Sequence, residues 1–234
     1  MLIYNRLFFL ALVLLLVACS STQYAYYDSL KLALHKADDA TLSMLEVQQA
    51  DYDLIYIRVD DKPRATMVLA YLENGQHKWL SGDDVLMVME QGRIVRTLGF
   101  SNDLTFVSNT AADPIRMKDG ALVSREWTRL TDWQLKHQSG YQVSSVVQEV
   151  AGEFIDVLDQ SFDTRLLKEV VSFQNSSQRI ENLFWFERST GLLLQSKQQL
   201  APHLPVFTIT YISQAGRISQ SELQGSSIQA MDTE

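Results

Sequence analysis

Residues 54–98 read LIYIRVDDKPRATMVLAYLENGQHKWLSGDDVLMVMEQGRIVRTL, and this stretch decides the fold. β-Branched, aromatic and other apolar residues alternate or run together in five short segments: LIYIRV (54–59), ATMVLAYLE (65–73), HKWL (77–80), VLMVM (85–89) and IVRTL (94–98). That is the texture of strands rather than helices. Turn chemistry separates them: DDKPR with Pro63, ENGQ with the hairpin-forming pair Asn74-Gly75, then SGDD and EQGR. Parallel neighbours need crossovers of a dozen or more residues, so links this short dictate antiparallel pairing.

The same device recurs downstream, where STGL (189–192) joins NLFWFER to LLQSKQQL and QAGR (214–217) reads as one more turn. The final stretch, SQSELQGSSIQAMDTE, is polar and reads as a frayed tail. Upstream, Tyr24, Tyr27, Leu30 and Leu34 recur at roughly helical spacing, and Thr41–Val47 predicts a second short helix. The expectation is a mainly β protein, an antiparallel meander sheet, open or half-barrel-like, with a short helical N-terminal segment. Its β-rich domain spans 53–216, followed by a polar tail at 217–234.

The N-terminus reads as an export signal over residues 1–18. Arg6 supplies the positive charge, and Leu7 to Val17 supply an apolar run of h-region length. A helix of that length rises only about 16 Å, short of the roughly 30 Å of hydrocarbon a transmembrane span crosses. The run stops at Leu16-Val17-Ala18-Cys19, which resembles the bacterial lipobox, and Cys19 is the only cysteine in the chain. The resemblance implies that Cys19 is diacylated on sulfur with palmitate-type chains and becomes the first residue after cleavage. It then takes a further acyl chain on its amine. Each buried methylene is worth roughly 0.8 kcal/mol, and durable anchoring takes two or more chains. Ser20, rather than Asp, follows the cysteine, which implies sorting to the outer membrane, with the periplasmic face as the default. Residues 19–52 then form the lipidated lead-in.

Removing residues 1–18 takes away one of 20 basic residues and none of the 28 acidic ones, so the formal charge moves from −8 to −9. An acidic chain without a Lys/Arg block is no nucleic-acid binder. With its cysteine acylated it has no disulfide either, and its 46% hydrophobic residues must hold the fold by burial.

Chemistry-bearing motifs are scarce. The histidines His35, His77, His137 and His203 show no H-x-x-x-H spacing, so no metal site is expected. No nucleophile motif of the G-x-S-x-G kind occurs, and no catalytic residue or cofactor beyond the lipid on Cys19 is expected. The pairs Asp38-Asp39, Asp60-Asp61 and Asp83-Asp84 fall in expected turns and read as solvated. The aromatics are more suggestive. REWTRLTDW (125–133) puts Trp127 and Trp133 an even number of residues apart, on one strand face with Arg125 and Arg129. With Trp79, these residues form either a platform that contacts glycan or core tryptophan whose arginines pair with carboxylates. The second reading weighs more.

Taken together, several segments resemble the YjbF/GfcB family of outer-membrane lipoproteins. They are Ile55 to Arg58 (I-Y-x-R), the strand ending in Tyr71, Lys78-Trp79-Leu80-Ser81 and Gln91-Gly92-Arg93. RMKDG (116–120), WTR (127–129) and FWFERSTGLLLQSKQQLAP (184–202) follow in order. The resemblance implies a β-rich fold and a non-enzymatic lipoprotein supporting exopolysaccharide or capsule secretion or assembly at the outer membrane. Partners would be polysaccharide export proteins or the polysaccharide itself. It implies no catalytic residue. Two alternatives stand beside it: a glycan-acting enzyme using scattered carboxylates and the tryptophans, and a lipid-handling module in which an open sheet holds acyl chains over a helix.

Overall fold

A computed structural model describes residues 38–116, 124–135, 138–174 and 176–231. Cys19 and the Tyr24–Leu34 segment lie outside them. After a short helix α1 (Met44–Gln49) come β1 (Leu54–Val59), β2 (Ala65–Glu73), β3 (Gln76–Ser81), β4 (Leu86–Glu90), β5 (Arg93–Leu98) and β6 (Leu104–Val107). Two 3-10 turns follow, Thr110–Ala112 and Pro114–Arg116. Then come β7 (Arg125–Trp133), β8 (Gln138–Val150), β9 (Phe154–Val157), β10 (Gln160–Phe173), β11 (Arg179–Glu187), β12 (Leu193–Gln199), β13 (Val206–Thr210) and helix α2 (Ile212–Met231).

The meander expected over 54–98 is present, with LIYIRV, ATMVLAYLE and REWTRLTDW each forming one strand. The turns adopt the conformations their residues favour: Asn74 and Gly75 both have positive φ, as do Gln91 and Gly92. At Gly92 a side chain is also excluded sterically, since a Cβ would sit 2.1 Å from Leu193 Cδ2.

All the strand pairings are antiparallel, in the order β5-β4-β3-β2-β1-β13-β12-β11-β10-β8-β7-β6, with β9 as an extra hairpin on β10. Neighbours in space are therefore neighbours in sequence, except where β1 meets β13 and where β10 meets β8 past the β9 hairpin. The sheet curls until its end strands β5 and β6 pack together, so the meander becomes a nearly closed up-and-down barrel. Side chains bridge this seam. Thr97 Oγ1 donates to Asp103 Oδ1 at 2.9 Å, and Leu104 N–H donates to Thr97 Oγ1 at 3.0 Å.

A ring this large is wider than eight strands, which side chains alone fill. Its interior takes large residues: Trp79, Trp127, Trp133, Phe184, Phe186, Met67, Met87 and Met89 form one buried cluster with Ile115 of the second 3-10 turn. Acyl chains over a helix, the lipid-handling arrangement, do not match this packing. The interior is occupied by side chains, and the helices pack on the other face of the sheet. There Tyr56, Leu194, Val47, Ile212, Ala215 and Ile218 form a second cluster.

Two expectations are corrected. The helix over Thr41–Val47 starts later, at Met44, because Ser43 caps it: its hydroxyl accepts from Glu46 N–H while the Glu46 carboxylate accepts from Ser43 N–H. Leu42 stays outside, its N–H donating to Tyr56 Oη at 2.6 Å. More substantially, QAGR is no turn and 217–231 is no frayed tail, since both fall within α2. Ile212, Ala215 and Ile218 recur every third residue and bury one stripe against the sheet. Tertiary burial of such a stripe outweighs weak local propensity, including the interior glycine at 216. No helix among the described residues is long and apolar enough to cross a membrane.

Candidate functional site

The strand parity of REWTRLTDW holds: Trp127, Arg129, Thr131 and Trp133 all point into the barrel. Trp127 and Trp133 are 2% and 7% exposed, so they lie in the core, the reading that weighed more, and not on a surface platform. Arg125, at the open start of β7, stays exposed. Arg129 lies inside, its Cζ 4.1 Å over the Trp127 ring, and Trp127 Nε1 donates to Asn109 O at 3.0 Å.

Arg129 belongs to an ion network that crosses the barrel. Its Nη1 donates to Glu169 Oε1 at 3.3 Å and to Ser145 Oγ at 3.1 Å. Arg93 Nη1 reaches Glu169 Oε2 at 2.5 Å, and its Nε and Nη2 grip Asp113 at 2.8 and 3.1 Å. Asn182 Nδ2 donates to Glu169 Oε2 at 2.9 Å. Two cations and two anions thus cancel one another, the condition under which buried charge is tolerated. Burial alone would raise the Glu169 pKa, but the guanidiniums of Arg93 and Arg129 overcome it and hold the carboxyl at about 2. Burial lowers Arg129 to about 10 against the pull of Glu169, so it stays charged at neutral pH. Arg93, flanked by both carboxylates, is held above its ordinary value despite burial. This cluster is a staple between β5, β7, β10, β11 and Asp113 at the junction of the two 3-10 turns, with its polar groups already spent on one another.

Trp79 lies elsewhere in the barrel and lines a cavity of about 180 Å³ at one mouth. The wall is assembled from distant segments: His77 and Trp79 on β3, Met89 and Gly92 around the β4–β5 turn, Leu193 on β12, Tyr211 just before α2, and Gln214 and Arg217 in its first turns. The His77 and Trp79 rings stack with centroids 6.3 Å apart, and Tyr211 meets Trp79 edge-on at 6.5 Å. Burial lowers the His77 pKa against an opposing effect of Asp53, so its imidazole is neutral at pH 7. Burial raises the Tyr211 pKa, which keeps a phenol that donates to Met89 Sδ at 3.3 Å. The rim cations are engaged: Arg217 chelates Asp53 at 2.5 and 3.3 Å, and Arg116 pairs with Glu90 at 3.2 Å. Trp79 Nε1 and Gln214 Oε1, by contrast, are buried with no hydrogen-bond partner among the described residues.

The opposite mouth, where β12 ends rather than begins, holds a wider depression of about 380 Å³ beside Trp133 and Tyr141. Two of its polar groups, at Trp133 and Asn102, already have partners: Trp133 Nε1 donates to Thr131 Oγ1 at 3.3 Å and Asn102 Oδ1 accepts from Leu135 N–H at 3.1 Å. The smaller cavity is therefore the better candidate site. Among the described residues no group of three or more His, Cys, Asp or Glu is placed to hold a metal.

A family of proteins described as "Group 4 capsule polysaccharide lipoprotein gfcB, YjbF" matches residues 27–212. The chain belongs to the YjbF family. Two Escherichia coli K12 relatives agree. The uncharacterized lipoprotein GfcB is 28% identical over 207 residues, covering 86% of this chain and 95% of its own. The uncharacterized lipoprotein YjbF is 32% identical over 197 residues, covering 83% and 92%. The crystal structure of the hypothetical lipoprotein YmcC from the same organism superposes with a TM-score of 0.68 at 27% identity, covering 73% of this chain and 88% of that one.

Within this YjbF-family chain, two groups of residues escaped sequence reading. Glu169 and Asn182 sit on inward-facing strand positions; Glu169 lies between Leu167 and Val171, and that break in an apolar parity was a usable signal. Tyr211, Gln214 and Arg217 left no such signal, because QAGR matches turn chemistry and only the packing of α2 brings it to Trp79.

Proposed function

We propose that this protein is a non-enzymatic lipoprotein, anchored through acylated Cys19 at the periplasmic face of the outer membrane, that supports secretion or assembly of a capsule-like exopolysaccharide. Membership in a family of group 4 capsule polysaccharide lipoproteins carries the reading. The Leu16–Cys19 lipobox and Ser20 support the anchor and its address. The engagement of Arg93, Asp113, Arg129 and Glu169 with one another supports an accessory role over a hydrolytic one.

The test is surface polysaccharide on cells lacking the gene, complemented by wild type or by Cys19→Ala. Polymer should fall on deletion, return with wild type and stay low with Cys19→Ala. Unchanged polymer on deletion overturns the export role, and full rescue by Cys19→Ala overturns the anchor.

A further inference from the structure

We propose that the cavity walled by Trp79, Tyr211 and Gln214 is a binding site for one pyranose ring of a glycan. The claim deepens the export reading, on which the identity of the polymer rests, but its chemistry stands on the cavity alone.

Size comes first. An apolar cavity of about 150 Å³ admits benzene, so one of about 180 Å³ has room for a six-membered ring. The wall chemistry narrows the class. Trp79, Tyr211 and Phe186 give the cavity an aromatic side, which packs against the C–H faces of a sugar.

Its polar needs are the second observation. The Trp79 indole N–H requires an acceptor and Gln214 Oε1 requires a donor, and each is unmatched. A buried polar group left unpaired costs roughly 1–3 kcal/mol. Both atoms are closed off as the side chains stand, so a ligand reaches them when the Gln214 amide turns aside. A hydroxyl both accepts and donates, and a ring bearing several can then serve the two residues. Gln214 is only half-buried, so its amide can turn towards such a ligand.

Charge argues against the other small-ligand classes. His77 is neutral, and the guanidiniums of Arg116 and Arg217 already hold Glu90 and Asp53. An anion would have to displace a carboxylate, whereas a neutral polyol displaces nothing. Space also continues outward. A shallow depression of about 100 Å³ between α1 and α2 shares Asp53, Ser213 and Arg217 with the cavity and adds Gln48 and Gln220. A neighbouring sugar can therefore follow the first along a polar path.

The experiment is an NMR titration of the full lipidated chain in detergent. The readout is the Trp79 indole N–H resonance. The probes are oligosaccharides from partial acid hydrolysis of the producing strain's surface polysaccharide, with inorganic phosphate as the anion control. A saturable Trp79 shift with the sugars is expected, weakened about tenfold or more by Gln214→Leu, the loss expected from one hydrogen bond. Trp133→Phe, at the other mouth, should leave it unchanged. No shift with any oligosaccharide, or a shift with phosphate alone, overturns the site. Failure here with polymer loss on gene deletion leaves the export role standing; binding with unchanged polymer leaves the site and removes that role.

Discussion

Arg93 Nη1 and Glu169 Oε2 meet at 2.5 Å in the barrel interior, from positions 76 residues apart in the chain. Glu169 is fully buried and answers two guanidiniums, so its loss leaves Arg93 and Arg129 sharing Asp113 alone. Removing one partner of a buried pair costs about 3–5 kcal/mol. Glu169→Gln keeps the shape and deletes the charge, and urea unfolding should register a loss of that order. A change below about 1 kcal/mol, within the range of an exposed ion pair, would refute the staple.

The same carboxyl predicts a pH dependence. Glu169 titrates at about 2 in the folded chain against an ordinary 4.5, so between those values the unfolded state binds more protons. Its contribution is complete above pH 4.5 and is lost as pH falls towards 2. The shift corresponds to about 3 kcal/mol. Stability measured from pH 6 to pH 2 should fall, and the gap between wild type and Glu169→Gln should close over that window. A gap independent of pH would mean that the charge of Glu169 is not what stabilises.

How far the fold was readable follows from where each signal resides. Strands β1, β2 and β7 were legible to the residue because alternation and turn chemistry are local. Closure was not, since nothing in Leu54–Val59 or Val206–Thr210 announces that they pair, and only that pairing turns two meanders into a ring. The site split in the same way. Trp79, Trp127 and Arg129 stand out in the sequence as aromatic and charged residues on strands, but parity says only that residues share a face, not whether that face is core. Their separation, with Trp79 in a cavity wall and Trp127 beneath two arginines, comes from curvature.

Helix α2 supplies a third prediction, because its polar composition conceals a structural role. Ile212, Ala215 and Ile218 are buried on the sheet, and Arg217 holds Asp53. Full burial of an isoleucine is worth about 1.5–3 kcal/mol. Truncation after Tyr211 should therefore abolish a cooperative melt, while truncation after Ser221 keeps the buried stripe and should lower the melting temperature only slightly. Equal melts for the two would restore the view of 217–234 as a dispensable tail.

The last prediction concerns the seam between β5 and β6. Asp103 is buried, and its carboxylate accepts from Thr97 Oγ1 at 2.9 Å, Gly99 N–H at 3.0 Å and Phe100 N–H at 3.1 Å. Thr97 Oγ1 in turn accepts from Leu104 N–H, which ties the first residue of β6 to β5. Elsewhere the strands are joined by backbone ladders that no single side chain can undo. Here one carboxylate organises the join, so Asp103→Ala should release it and expose two unpaired edges. Amide exchange should quicken in β5 and β6 while β10 and β11 stay protected, and aggregation should rise with concentration. Exchange that quickens uniformly would instead mean that the seam unfolds only with the whole barrel.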